Sequence, residues 1–386
     1  MPAASIPEAS PLFTRWSDPV SGVTSLLLPN TAAPLQQSFY YTNPSFTGDG
    51  RFLWFYCAFP PAGNANQGRS LGVVDFQLQE IRHYPETGFL DASPAVDPAT
   101  GEAYWCSGIE IWKRGPLAAD TPVLVNRFPA DLARNRRPWR VATHLTFSAD
   151  RTSLNLDAEI GREWFVGHAP LDGSPSVIWQ TLDRAYNHGQ FSPVDPDLQL
   201  INQDSAIDPV TGDCPNYENR MWLLRRGGKI TPIFADAAAS GAAKHGHEWW
   251  SADGRHVWYI HYGRGVLRVN PFAPRPAGTD PVPELMWPSD TVSHAHTDST
   301  ETYVVADCQP GIATGISKVI FYNRKTGRET AIVSQMPYPA DALRRYHVHP
   351  HPQFCHHDRY ICYTTLVTGR LTLALVSVES LIAATS

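Results

Sequence analysis

A segment of about fifty residues recurs along this chain, and that recurrence constrains the fold more than any single motif within it. The clearest pair aligns residues 43–56 with residues 247–260. Each begins with a polar residue (Asn43, His247), followed by an aromatic at the same offset (Phe46, Trp250) and Thr47 or Ser251. An Asp-Gly pair (Asp49 and Gly50, Asp253 and Gly254) and an alternating apolar run complete the unit. Five weaker copies keep this order and begin at Ser93, His144, His188, His294 and His351. Each copy reads as a β-hairpin, because Asp-Gly suits the tight turn between two short apolar strands. A unit of about fifty residues leaves room for two more strands, the size of a propeller blade. Seven copies therefore predict an all-β chain, a seven-bladed β-propeller with four-stranded antiparallel blades around a central channel.

Composition agrees with many short strands and frequent turns: 34 Pro, 27 Gly, and an aromatic set of 12 Trp, 15 Tyr and 16 Phe suited to wide sheet-to-sheet interfaces. A β-sandwich pair does not predict the repeat, and a solenoid normally has shorter repeats. Residues 1–386 are expected to form one propeller, with residues 9–42 and 365–382 completing a shared blade that closes the ring. No apolar run approaches the roughly 18 residues that cross a bilayer, so no membrane partner is expected. The N-terminus lacks a basic segment followed by an apolar one, which points to the cytoplasm. Net charge is −6 with no long basic run, so nothing favours nucleic acid, whereas a compact anionic ligand fits if Arg and His gather locally. The six cysteines include no C-x-x-C pair and read as buried thiols. Oligomeric state has no signal in the sequence.

The first strand of a propeller blade lies nearest the channel, so equivalent first positions form a ring. Those positions are Asn43, Ser93, His144, His188, His247, His294 and His351, and five of the seven are histidine in a chain with only 15. Period-two spacing adds His245 and His349 to the same face. Facing imidazoles are costly unless they share a metal, an anion or water. The segment from His347 to Phe354 sharpens this, because His347, His349 and His351 alternate along an extended stretch whose Pro350 and Pro352 disfavour a helix. His294, His349 and His351 come from neighbouring blades and are the best trio for one ion, with His347 secondary. Neutral imidazole suits Mn, Zn, Fe, Cu and Ni. His83, His168, His256, His261, His356 and His357 read as surface or packing residues.

Several fragments resemble, in order, motifs of the oligogalacturonate lyases: the one opening at Asn187 and His188, the one at Asn219 and Arg220, the one running from Gly246 to Gly254, and the His349-Pro-His351 run. That family consists of seven-bladed propeller enzymes that use manganese to cleave digalacturonate by β-elimination. The resemblance is recognisable over residues 180–365. It implies metal binding by His294, His349 and His351, and proton abstraction by Arg220. His294 also keeps the family's interval to an aspartate, here Asp307. The chain departs where the family has a glutamine before its His-Pro-His motif, since Tyr346 stands there with His347 beside it. It departs again where a Cys-His-Glu-Gly segment is replaced by the run from Asn202 to Ala206. The propeller also resembles those of ulvan lyases and rhamnose-glucuronate lyases, for which calcium or zinc takes the place of manganese.

The expected function is metal-assisted β-elimination on a galacturonate- or glucuronate-containing oligosaccharide, as in pectin degradation. Arginine is normally protonated and clamps carboxylates more readily than it accepts protons, so His188 and His247 are the easier acid or base candidates beside Arg220. His144, His245, Tyr346 and Trp249 are the expected substrate contacts, with Trp249 and Trp250 alternatively packing residues. Two other classes stand beside this one. A glycoside hydrolase needs paired carboxylates, for which Asp91 and Glu248 are the nearest candidates. A non-catalytic binding propeller gives no reason for the histidine ring.

Overall fold

The Asp-Gly signature folds as the turn it predicts. Thr47, Ser148 and Ser251 each donate a hydroxyl hydrogen bond of 2.6 Å to the aspartate two residues on, Asp49, Asp150 and Asp253. The same carboxylates accept from the backbone N–H of Arg51, Thr152 and Arg255 at 3.0–3.1 Å. Gly50 and Gly254 close two of these turns at φ of 70° and 66°, where a side chain is strained. A Cβ on Gly50 would also lie 2.1 Å from the His356 ring, so a larger residue in that turn would have to displace His356.

The computed structural model describes residues 7–208, 210–308, 317–337 and 339–386. Seven antiparallel sheets follow one another along the chain. Blade 1 runs from Leu35 to Leu90, blade 2 from Ala95 to Arg127, blade 3 from Ser153 to Leu182, blade 4 from Tyr186 to Pro232, blade 5 from His245 to Pro288, and blade 6 from Val292 to Met336. Five of these have four strands. Blade 3 has three, its innermost strand being reduced to single bridges at Arg140 and Phe147. Blade 7 has five: Gln353–Cys355, Tyr360–Thr365 and Thr372–Ser377 from the C-terminal region, then Thr24–Leu27 and Thr14–Ser17 from the N-terminal region. Leu26 pairs with Leu375 and Leu27 with Ala374, which is the predicted shared blade.

Burial follows this radial plan. Among the described residues the apolar core divides into seven clusters, one at each interface between neighbouring blades. Between blades 1 and 2, for example, Phe52, Trp54, Tyr56 and Val73 meet Val96, Ala103 and Trp105. A single blade buries only one cluster's worth on each face, so each sheet depends on both neighbours and the ring must close. The blade 7 to blade 1 interface does this with Leu26, Leu373 and Leu375 against Leu53, Phe55 and Val74. The cysteines conform to expectation except Cys214, which is exposed; the other five are buried thiols. Among the described residues no helix is long and apolar enough to cross a membrane.

The closure makes a stability prediction. Leu26 is 5% exposed and lies in the N-terminal strand that joins the last blade, so Leu26→Ala is expected to cost about 2–5 kcal/mol of global stability. Urea unfolding measures it. An unchanged midpoint would mean that the N-terminal strands are peripheral to the ring.

Candidate active site

The inner strands do not run regularly past the axis. In blades 4, 5 and 6 the pairing register slips at Asn187/Gln190, Gly246/Trp249 and Val292/Ala295. Two of these bulges hold a histidine at positive φ, His188 at 52° and His247 at 50°, and His351 reaches 44° just before the first strand of blade 7. Positive φ is uncommon for a residue other than glycine and requires the surroundings to hold it. A bulge re-aims a side chain, and here it turns these rings toward the axis.

Two buried aspartates hold the bulged backbone. Asp307, fully buried on blade 6, accepts from the backbone N–H of His294 at 2.8 Å and from that of His351, in the next blade, at 3.3 Å. Asp157, on blade 3, accepts from the N–H of Thr143 at 2.6 Å and from that of Gly189, in blade 4, at 2.9 Å. Thr143 Oγ1 in turn accepts from the N–H of His188 at 2.8 Å.

Asp307 also orients an imidazole. His294 Nδ1 lies 3.0 and 3.1 Å from its two carboxylate oxygens, so Nδ1 carries the proton and Nε2 keeps its lone pair. Ligand atoms of His294, His347, His349 and His351 all lie within 4.8 Å of one another. His347 Nε2 and His351 Nε2 are 3.2 Å apart, and the buried Nδ1 of His349 has no hydrogen-bond partner among the described residues. Converging imidazole nitrogens, an orphaned ring nitrogen and a carboxylate behind one ligand form a donor set that fits a divalent transition metal. His347 belongs to this group. The sequence ranks it second, yet the turn before Pro350 brings it round to His351.

Beside the cluster lies a cavity of about 220 Å³ lined from blades 1, 3, 4 and 7 and from the connection between blades 1 and 2. Tyr40 forms part of its wall, stacked on His144 with ring centroids 3.9 Å apart and facing the edge of His351 at 4.8 Å. Arg69, Arg140, His188 and Asp204 also line it. Arg140 pairs with Asp91 at 2.9 Å and Glu159 at 3.0 Å. Nearby, buried Arg220 pairs with Asp204 at 3.1 Å and Glu248 at 3.3 Å.

Burial opposes the charge on Arg220, but Glu248 and then Asp204 outweigh it and hold the guanidinium pKa above its ordinary value. The imidazoles behave oppositely. Burial, and then the Arg220 charge, pushes His188 well below the usual histidine range. Burial and then His294 do the same to His247, and burial brings His144 down to about 4. His188 and His247 are thus neutral at pH 7 and able to accept a proton. The Nδ1 of His247 donates to the Ser293 carbonyl at 2.7 Å, which leaves its Nε2 unprotonated.

The structure brings His144, His188, His247, His294, His349 and His351 together, with Arg220 next to His188. Three expected substrate contacts are placed elsewhere. His245 is 1% exposed and packs at ring-centroid distances of 5.2 Å from Phe234 and 4.5 Å from Tyr259, because the bulge after Gly246 breaks the alternation that would have put it beside His247. Trp249 is 3% exposed, stacked on Trp258 and bonded to Thr297, so it packs blade 5 on blade 6. Tyr346 is fully buried, its hydroxyl donating to the Ala62 carbonyl at 2.9 Å. Trp250 stacks on Phe272 and is likewise structural. Asn43 and Ser93 are structural at their ring positions. Asn43 donates to the Pro94 and Leu145 carbonyls at 3.0 and 2.9 Å, tying blades together, and Ser93 accepts from the N–H of Cys106. Tyr40, Arg69, Arg140 and Asp204 are the site residues that sequence reasoning missed. Tyr40 and Arg140, three and four residues before the repeat positions Asn43 and His144, had a positional signal; Arg69 and Asp204 sit on a later strand and in a loop outside the repeat signature.

No family model matches the chain, and no curated protein matches it in sequence. Solved structures are similar to it in fold. One is an oligogalacturonate lyase in complex with manganese, at TM-score 0.70 and 17% identity, covering 96% of this chain and 97% of that one. Another is the oligogalacturonate lyase of Vibrio parahaemolyticus, at TM-score 0.72 and 15% identity with the same coverages, 96% and 97%. A β-propeller domain of Myceliophteria thermophila, Cps50 (Swd1), is more distant, at TM-score 0.50 and 12% identity over 88% of this chain and 97% of that one. At such identities the likeness is one of fold.

The buried neutral histidines give stability a pH dependence. Burial lowers His144 to about 4 and, ahead of the His261 charge, lowers His245 to about 3. In the unfolded chain each titrates near 6.5, so the unfolded state binds more protons below that value and stability falls as pH drops from about 6.5 toward 4. Asp157, raised by burial to about 6, works in the opposite direction between about 3.8 and 6. In urea unfolding at a series of pH values, His245→Phe is expected to reduce the slope by about 1.4 kcal/mol per pH unit. An unaltered slope would mean that His245 is protonated in the folded chain.

Proposed function

We propose that this chain is a metal-assisted lyase that cleaves a uronic-acid-containing oligosaccharide by β-elimination, on a galacturonate or a glucuronate. The observation that carries the reading is the His294, His347, His349 and His351 cluster, backed by Asp307 and opening beside a cavity walled by arginine and neutral histidine. The imidazole donors suit a divalent transition metal, and manganese is the ion we assign among these because one structure of similar fold is a manganese complex. When bound, the ion supplies Lewis acidity toward the substrate carboxylate.

The remaining work belongs to this chain's side chains. Elimination removes the proton at C5, forms the C4–C5 double bond, breaks the bond from C4 to its oxygen and returns a proton to that oxygen. His247 is the base on this reading: its Nδ1 proton is committed to Ser293, so Nε2 is free to take the C5 proton. The imidazolium so formed returns that proton to the leaving oxygen, while His188, neutral and held at the cavity wall by the Thr143 hydroxyl and Asn187, is a hydrogen-bond partner for the sugar. Arg220 does not accept a proton in this scheme. Clamped between Asp204 and Glu248, it stays cationic and favours the neutral form of His188. Tyr40, with His144 stacked on it, forms a flat wall suited to a sugar ring.

Hydrolysis fits less well, because the two candidate carboxylates are already committed: Asp91 to Arg140 and Glu248 to Arg220.

The test is an absorbance assay for the new C4–C5 double bond on saturated galacturonate and glucuronate oligosaccharides. Activity is expected to disappear on exhaustive chelation, return with Mn²⁺, and be absent in His349→Ala. Product lacking the double bond, or full turnover after the metal is stripped, would overturn the reading.

A further inference from the structure

Three arginines lie at or beside the cavity, and they differ in how their charge is met. Arg140 has Asp91 and Glu159; Arg220 has Asp204 and Glu248. Arg69 has no carboxylate within ion-pair distance among the described residues, although it is only 4% exposed and lines the cavity. Its Nη2 donates to the backbone carbonyls of Ala65 at 2.6 Å and Asp91 at 3.0 Å. Its buried Nε has no partner among the described residues. The guanidinium carbon lies 4.5 Å from the Tyr56 ring centroid and 5.1 Å from that of Phe89, so stacking fixes its plane.

A cation taken out of water without a counter-charge is expensive, and partial compensation by two carbonyls and two rings leaves its charge available. A merely structural Arg69 would be better served by the carboxylate of Asp91, whose backbone it already touches, yet that carboxylate is given to Arg140. Rigid stacking, burial and an unmatched charge at a cavity wall are the attributes of an oxyanion receptor.

We propose that Arg69 is an anion-binding position of this cavity, one that holds a carboxylate or sulfate ester of the bound saccharide apart from the histidine cluster. Only the identity of the carrier, a saccharide, rests on the lyase reading. The planar, forked guanidinium matches a carboxylate edge, so a uronate is preferred over a sulfated sugar. Arg69 is a specificity-determining residue on this account: it takes no proton and makes no bond, and it selects charged sugars over neutral ones.

Binding is the direct readout, measured by calorimetric titration on the full chain after metal has been stripped by chelation. The probes are D-galacturonate, galactose 6-sulfate and neutral galactose. The wild type is expected to bind galacturonate most tightly and galactose least. Arg69→Gln and Arg69→Met are each expected to weaken galacturonate at least about tenfold and to leave galactose unchanged. The Met variant keeps an unbranched apolar stem over Tyr56 and Phe89, so it serves if Arg69→Gln does not fold, as checked by thermal unfolding. Tightest binding of galactose 6-sulfate, with the same dependence on Arg69, would keep the receptor and make its ligand the sulfate ester. A folded variant that binds galacturonate as the wild type does, or a wild type with no preference for charged sugars, would overturn the proposal. The two readings fail separately: Arg69-dependent binding without any double-bond product removes the lyase and keeps the anion position, whereas double-bond formation with unchanged KM in a folded Arg69 variant does the reverse.

Discussion

Seven sheets converge on one axis, and the inner strands of blades 4, 5 and 6 do not pass it as regular ladders. Their bulges free backbone N–H groups in a place water barely reaches. Asp157 and Asp307 pair those groups, each spanning two blades, and the rest of the site is built on these two carboxylates. Because Asp307 holds the backbone of His294 and His351 at once, the spacing of blades 6 and 7 and the convergence of their imidazoles have the same cause.

Charge is distributed around the axis by a simple rule. Guanidinium groups sit between carboxylates, and imidazoles sit where burial and neighbouring cations keep them neutral. On the proposed reading this separates the electrostatic task from the proton-transfer task within one small volume. It also recasts Arg220. A resemblance of motif suggested a base, while Asp204 and Glu248 on either side make it a fixed positive charge. Arg69 is the exception to the pairing rule, and its unmatched charge at the wall is what makes it informative.

Much of the architecture was legible in the sequence, because the Asp-Gly turn and the alternating strand after it are local and repeat in every blade. Ring closure followed from the leftover termini, and Leu26 against Leu375 realises it. The histidine ring was legible through repeat position, which correctly gathered His144, His188, His247, His294 and His351. Where strict period-two alternation was assumed, it failed: the bulge at His247 turned His245 into the blade interface. Trp249 and Tyr346 were lost for another reason, since an aromatic side chain suits a sugar face and a blade interface equally well, and only the packing decides. Arg69 and Asp204 reach the cavity from a strand and a loop whose placement depends on the whole ring. No local pattern marks them.

The central claim is that the four histidines form one metal centre. Anomalous diffraction recorded at the manganese absorption edge, on crystals grown with Mn²⁺, tests it most directly. The account predicts a single strong peak within bonding distance of His294, His347, His349 and His351, lost in crystals of His349→Ala. A peak elsewhere in the molecule, or none at the cluster with saturating Mn²⁺, would contradict it.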